Sequence, residues 1–195
     1  MKHRFNDKSR RLQRWDYSSN GYYFLTIVTQ NRVCNLGEIK NGDMILSNFG
    51  EIVKEQWLIS FEMRNELILD EYVIMPNHIH TIVILNNTDT VVGMHGLIPV
   101  RMHGRAFLQD DDDHLSFQRK PKSISSFMAG FKSAVNSAID NLIDKENLDI
   151  PKFNRNNHFF QSNYNDHIIR NKEELYRIKN YIISNPAKWH NDDFN

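Results

Sequence analysis

Tyr22 to Gln30 is a nearly continuous apolar run, rich in aromatic and β-branched residues that suit a pleated strand. Two short runs, Glu38 to Lys40 and Asp43 to Leu46, flank Asn41-Gly42, a pair that accepts the positive φ angles of a tight hairpin turn. The period then changes. Phe49, Ile52, Val53, Trp57 and Leu58 recur at helical spacing behind Ser47, whose hydroxyl suits an N-cap, and this predicts a first helix ending before Arg64-Asn65. Leu67 to Met75 and His78 to Leu85 read as two strands joined across Pro76-Asn77, because proline fixes φ and offers no ladder donor.

From Asn86 to Lys122 the apolar period disappears, and glycines together with the acidic run Asp110 to Asp113 predict a mobile, exposed connection. Ser123 then caps a long helix in which Ile124, Phe127, Met128, Phe131, Val135, Ala138, Ile139 and Leu142 share one face. His158 to Gln161 is expected to form a further short strand. Asn171 starts the last helix, with Glu174 as a capping-box partner, Leu175, Ile178 and Ile182 as its apolar face, and Pro186 as its boundary. Strand-helix-strand-strand-helix-strand is the ferredoxin-like order: an α+β fold with an antiparallel sheet, two helices on one face, and an appended C-terminal helix.

The length of 195 residues fits one domain, spanning residues 1–195 with a basic arm at 1–15 and a loop at 86–122. Hydrophobic residues at 40% supply a core, and the longest apolar runs fall far below the roughly 20 residues needed to cross a bilayer. The N-terminus lacks the apolar stretch of a secretory signal, and one cysteine, Cys34, cannot form an internal disulfide; both features predict a cytoplasmic protein with no membrane association. Lys plus Arg equals Asp plus Glu at 24 each, so overall charge gives no sign of a nucleic-acid partner. The distribution does differ locally. Lys2, Arg4, Lys8, Arg10, Arg11 and Arg14 face a single acid, Asp7, and such an arm either grips phosphates or is a solvated tail.

The sharpest chemical signal is Met75-Pro76-Asn77-His78-Ile79-His80. On a strand, residues two apart share a face, so His78 and His80 present two imidazoles side by side while Ile79 points the other way. Neutral imidazoles so placed can hold a divalent metal, although hydrogen bonds within the fold would also account for the pair. On the last helix Tyr181 and Asn185 lie one turn apart on one face. Asn185 could add an amide oxygen to the metal while Tyr181 presents a phenol; separately, an interface tyrosine and a helix-end asparagine are equally good readings. Together these residues suggest phosphoryl chemistry. A cation beside the phenol would favour its ionised form, and open coordination positions could take substrate phosphate oxygens, with Mg²⁺ or Mn²⁺ suited to phosphate and Mn²⁺ the better match to imidazole.

The motifs Tyr23-Phe24-Leu25-Thr26-Ile27-Val28-Thr29-Gln30-Asn31-Arg32, Met75 to His80, Ser126 to Ser133, Asp166 to Asn171 and Tyr181 to Pro186 resemble the REP-associated tyrosine transposases, within the single-tyrosine HUH transposases. The resemblance spans most of the chain. It implies that His78 and His80 are a metal-binding pair, that Tyr181 is the catalytic nucleophile and that Asn185 completes the metal site. It further implies a single-stranded DNA substrate recognised beside a hairpin, cleavage to a 5′-phosphotyrosine and a free 3′-OH, and a homodimer. Where the family commonly has Trp-Gln, this chain has Phe160-Gln161.

Further candidates for DNA contact are Arg10, Arg11, Arg14, Lys132 and Arg170, with His167 in a supporting role or in a hydrogen bond at the helix start. Tyr22, Tyr23 and Phe24 are either a base-stacking face or core. A histidine-triad nucleotide hydrolase would need a third alternating histidine, where the chain has Ile82. A domesticated hairpin-binding protein without cleavage is the alternative from a different functional class.

Overall fold

The computed structural model describes residues 15–87, 120–154, 156–192 and 194. Arg10, Arg11, Arg14 and the acidic run at 110–113 lie outside the described residues. The elements are β1 (Gly21–Val28), β2 (Gly37–Lys40), β3 (Asp43–Leu46), α1 (Asn48–Glu62), β4 (Leu67–Met75), β5 (His78–Leu85), α2 (Ile124–Glu146), β6 (Asn165–Ile169) and α3 (Lys172–Ser184), followed by a 3-10 turn (Pro186–Asn191). Four strands form one antiparallel sheet in the order β4-β5-β1-β6, and β2 pairs with β3 as a separate hairpin. This is the expected ferredoxin-like arrangement. Asn41 (φ 54°) and Gly42 (φ 87°) make the hairpin turn, as that pair predicts.

Alternation along the strands divides the sheet into two apolar faces. Tyr23, Leu25, Ile27, Ile79 and Val83 face α1 and α2, where Val53, Trp57, Phe127, Phe131 and Val135 complete the main core. The opposite parity carries Ile82 and Ile169, which pack under Leu175, Ile178 and Ile182 of α3. The appended helix therefore covers the second face and turns a two-layer fold into three layers. Lys179 fixes its position by pairing with Asp70 of β4 at 2.6 Å.

Helix starts follow the capping logic with one difference. Ser47 Oγ accepts the Gly50 N–H, and Ser123 forms a reciprocal box with Ser126. Asn171 accepts the Glu174 N–H, but the Glu174 carboxylate reaches back to the Arg170 N–H and His167 Nε2 instead of closing a box on Asn171. Gly50 has a steric reason: a Cβ there would stand 2.0 Å from the Leu36 carbonyl oxygen.

The expected strand at His158 to Gln161 is not one. Phe160 makes a single isolated bridge to Thr29, and the fourth strand of the sheet is β6, five residues further on. Phe159 and Phe160 are both buried in the same core, which breaks the alternation of a strand. β6 escaped notice because three polar residues precede Ile168 and Ile169, and these two isoleucines serve opposite faces.

Candidate metal centre and phenol

β5 begins immediately after the Pro76-Asn77 turn, and its pairing with β1 sets Val28 opposite His78 and Thr26 opposite His80. Both histidines point to the α3 face and are almost wholly buried, with ring centroids 4.4 Å apart. Burial favours the uncharged form of an imidazole. It pushes both side chains down to about 3, helped at His78 by the charge of Arg32 and at His80 by its neighbour His78, while Asp192 acts in the opposite direction on His80. Both are neutral around pH 7 and able to donate a lone pair to a cation.

Each ring is held from its Nδ1 side. Thr26 Oγ1 lies 2.8 Å from His80 Nδ1, and Asn77 Oδ1 lies 2.8 Å from His78 Nδ1. The two Nε2 atoms have different surroundings. His80 Nε2 is 3.0 Å from the Tyr181 hydroxyl, whereas His78 Nε2 is buried without a hydrogen-bond partner, 3.9 Å from Asp192 Oδ2. Tyr181 remains 42% exposed, so it stands at the edge of the buried pair. Phe24 stacks on His80 at 5.4 Å and meets the Tyr181 ring edge-on at 6.2 Å. Of the three aromatic residues at the start of β1, Tyr23 is thus core, while Phe24 borders the site.

Asp192 is the residue that sequence reasoning missed. The 3-10 turn after α3 folds the chain back over the site, with Trp189 buried, and places the Asp192 carboxylate beside the imidazoles. Ligand atoms of His78, His80 and Asp192 all lie within 4.8 Å of one another. Two neutral nitrogens and a carboxylate fit a divalent cation of the Mn²⁺ or Mg²⁺ type, and the orphaned His78 Nε2 is the kind of buried atom that such an ion would satisfy. The only sequence signal was the apolar pair Trp189 and Phe194 in an otherwise polar tail, which need burial and draw Asp192 inward.

The remaining candidates are distributed unevenly. Asn185 sits one turn after Tyr181 at the end of α3, 2% exposed, with its side-chain oxygen lacking a hydrogen-bond partner. Lys132 Nζ donates to the carbonyls of Gln161, Ser162 and Asn163, on the α2 side of the molecule, which makes it a holder of that loop. His167 pairs with Glu174 at 2.7 Å, the helix-start hydrogen bond among its two readings, and Arg170 is exposed beside it. No helix among the described residues is long and apolar enough to cross a membrane.

No protein-family model matches the chain. An uncharacterized protein of Haemophilus influenzae is 31% identical over 185 residues, covering 95% of this chain and 91% of that one, and the chain belongs to the same family. Among solved structures, a REP-associated tyrosine transposase bound to a REP hairpin shares the fold, with a TM-score of 0.54 and 19% identity over 92% of this chain and 74% of that one.

Proposed function

We propose that the chain is a metal-dependent transposase or endonuclease of single-stranded DNA that cleaves by transesterification onto Tyr181, at or near a DNA hairpin. The observation that carries this reading is the Tyr181 hydroxyl 3.0 Å from His80 Nε2, at the edge of a buried His78–His80–Asp192 group. The fold shared with a tyrosine transposase solved on a REP hairpin supports the choice of substrate. His78, His80 and Asp192 would hold the ion, with the buried oxygen of Asn185 a further donor one turn from Tyr181. A bound Mn²⁺ or Mg²⁺ would supply Lewis-acid polarisation of the scissile phosphate.

The residues of the chain account for the other requirements. Packing of α3 on β5 fixes the phenol beside the imidazoles, so little freedom is lost when the reactants align. In the reaction the Tyr181 oxygen bonds to phosphorus, the bond from phosphorus to the 3′-oxygen breaks, the phenol proton passes to solvent and the departing 3′-oxygen takes one up. The product is a 5′-phosphotyrosine and a free 3′-OH, and the retained ester energy permits rejoining without ATP.

The test is a denaturing gel of the protein incubated with Mn²⁺ and a pool of labelled, hairpin-bearing single-stranded oligonucleotides. The wild type should give a slow-migrating covalent adduct and Tyr181→Phe none. An adduct that persists in Tyr181→Phe would move the nucleophile to another tyrosine. Binding without an adduct in either protein would favour the hairpin-binding alternative.

A further inference from the structure

Asn77 ends the turn immediately before His78, and it is 1% exposed, so every polar atom of its side chain needs a partner. Its Nδ2 donates to two backbone carbonyls, that of Arg32 at 3.2 Å and that of Phe194 at 2.7 Å. A carbonyl oxygen carries no proton, so only the NH₂ side of the amide can face both, and a flipped amide would oppose oxygen to oxygen twice. The amide oxygen is thereby turned toward His78 Nδ1 at 2.8 Å, and an amide oxygen can only accept. The proton of that hydrogen bond must come from His78.

A neutral imidazole has one N–H. Placing it on Nδ1 leaves Nε2 as a bare lone pair, the buried, unpaired atom 3.9 Å from the Asp192 carboxylate. Asp192 pulls the other way, because a carboxylate facing Nε2 would draw a proton to that nitrogen. His80 is less constrained, since both Thr26 and Tyr181 carry hydroxyls that donate or accept. The asymmetry singles out Asn77.

We infer that Asn77 is a positioning residue for the metal centre: its amide, oriented by the carbonyls of Arg32 and Phe194, fixes His78 as the Nδ1–H tautomer and so keeps Nε2 available for a cation against the pull of Asp192. This rests on the reading of the His pair as a metal site, which it deepens. It also gives the Asn77 of the turn a chemical reason, since leucine there would fill the space but supply no acceptor, and aspartate would supply the acceptor without the two donors.

The experiment uses the full chain, free of metal and labelled with ¹⁵N-histidine, and reads the tautomer of His78 from two-bond ¹H–¹⁵N correlations, followed by Mn²⁺ titration. The wild type should show the Nδ1–H form at His78. Asn77→Leu should move that proton to Nε2 and weaken Mn²⁺ binding on the order of 10–100-fold, the usual scale for loss of an outer-shell partner. Asn77→Asp, which keeps an acceptor but sets its second oxygen against the Arg32 and Phe194 carbonyls, should fold less stably and, where folded, retain the Nδ1–H form at His78. A wild-type His78 carrying its proton on Nε2 overturns the inference whether or not any variant folds. So does a folded Asn77→Leu with the wild-type tautomer or affinity. A wild type in the Nδ1–H form that takes up no Mn²⁺ would instead refute the metal reading and leave the tautomer assignment standing.

Discussion

Replacing Tyr181 with phenylalanine separates the phenol's chemistry from its place in the site. In the metal-free protein the hydroxyl lies 3.0 Å from His80 Nε2, the atom that a cation would take from it. Metal uptake therefore has to break that hydrogen bond. A neutral hydrogen bond contributes a net ~0.5–1.5 kcal/mol, and the 42% exposure of Tyr181 places this one toward the low end, because solvent replaces the lost partner. Removing about 0.5–1 kcal/mol of competition should tighten Mn²⁺ binding by roughly two- to fivefold. The Phe ring keeps its edge contact with Phe24, so folding stability should fall by no more than about 1 kcal/mol. Isothermal titration with Mn²⁺ near neutral pH, compared between wild type and Tyr181→Phe, measures the difference directly. Weaker binding in the variant would refute the reasoning, since it would mean that the phenol oxygen is itself a ligand and not a competitor. In parallel, the covalent DNA adduct should disappear.

Other substitutions test the surrounding geometry. Thr26→Val keeps the shape but leaves His80 Nδ1 without its buried partner, and should cost about 1–3 kcal/mol in denaturant unfolding, with Thr26→Ser restoring most of it. Asp192→Ala should weaken Mn²⁺ binding by at least about tenfold, and an unchanged titration would remove Asp192 from the ligand set. Gly50→Ala, with its Cβ 2.0 Å from a backbone oxygen, should destabilise by about 1–3 kcal/mol and leave the metal titration of the folded protein unchanged. The buried histidines set a pH dependence. Their folded values of about 3 lie below the ordinary 6.5, so the unfolded chain binds the extra protons: the metal-free protein has its full stability above about pH 6.5 and loses it as the pH falls toward 3. Each histidine contributes a slope of up to ~1.4 kcal/mol per pH unit, measurable in denaturant melts, and His78→Asn with His80→Asn should flatten that limb.

Periodicity alone placed most of the elements. The strands at Leu67 to Met75 and His78 to Leu85 have the bounds that the apolar pattern and Pro76 imply, and α2 begins where Ser123 caps it. Strand alternation also put His78 and His80 on one face, because a two-residue period is a local property of the backbone. The last helix was legible through Asn171 and its buried stripe. β6 was not, because its polar residues gain their place from hydrogen bonds to β1, which no local pattern encodes.

The site divides in the same way. His78, His80, Tyr181 and Asn185 carry recognisable chemistry at recognisable spacing, which is what made them candidates. The sequence could not say that α3 would cover the face opposite α1 and α2, which is what brings Tyr181 over a strand about a hundred residues away in the chain. Nor could it say that Asp192 would return to the imidazoles, since an acid in a polar tail looks like any solvated charge until Trp189 is buried. Local spacing determines which residues share a face; only the packing of one element on another decides which faces meet, because that choice depends on the apolar surface of the whole chain being buried at once.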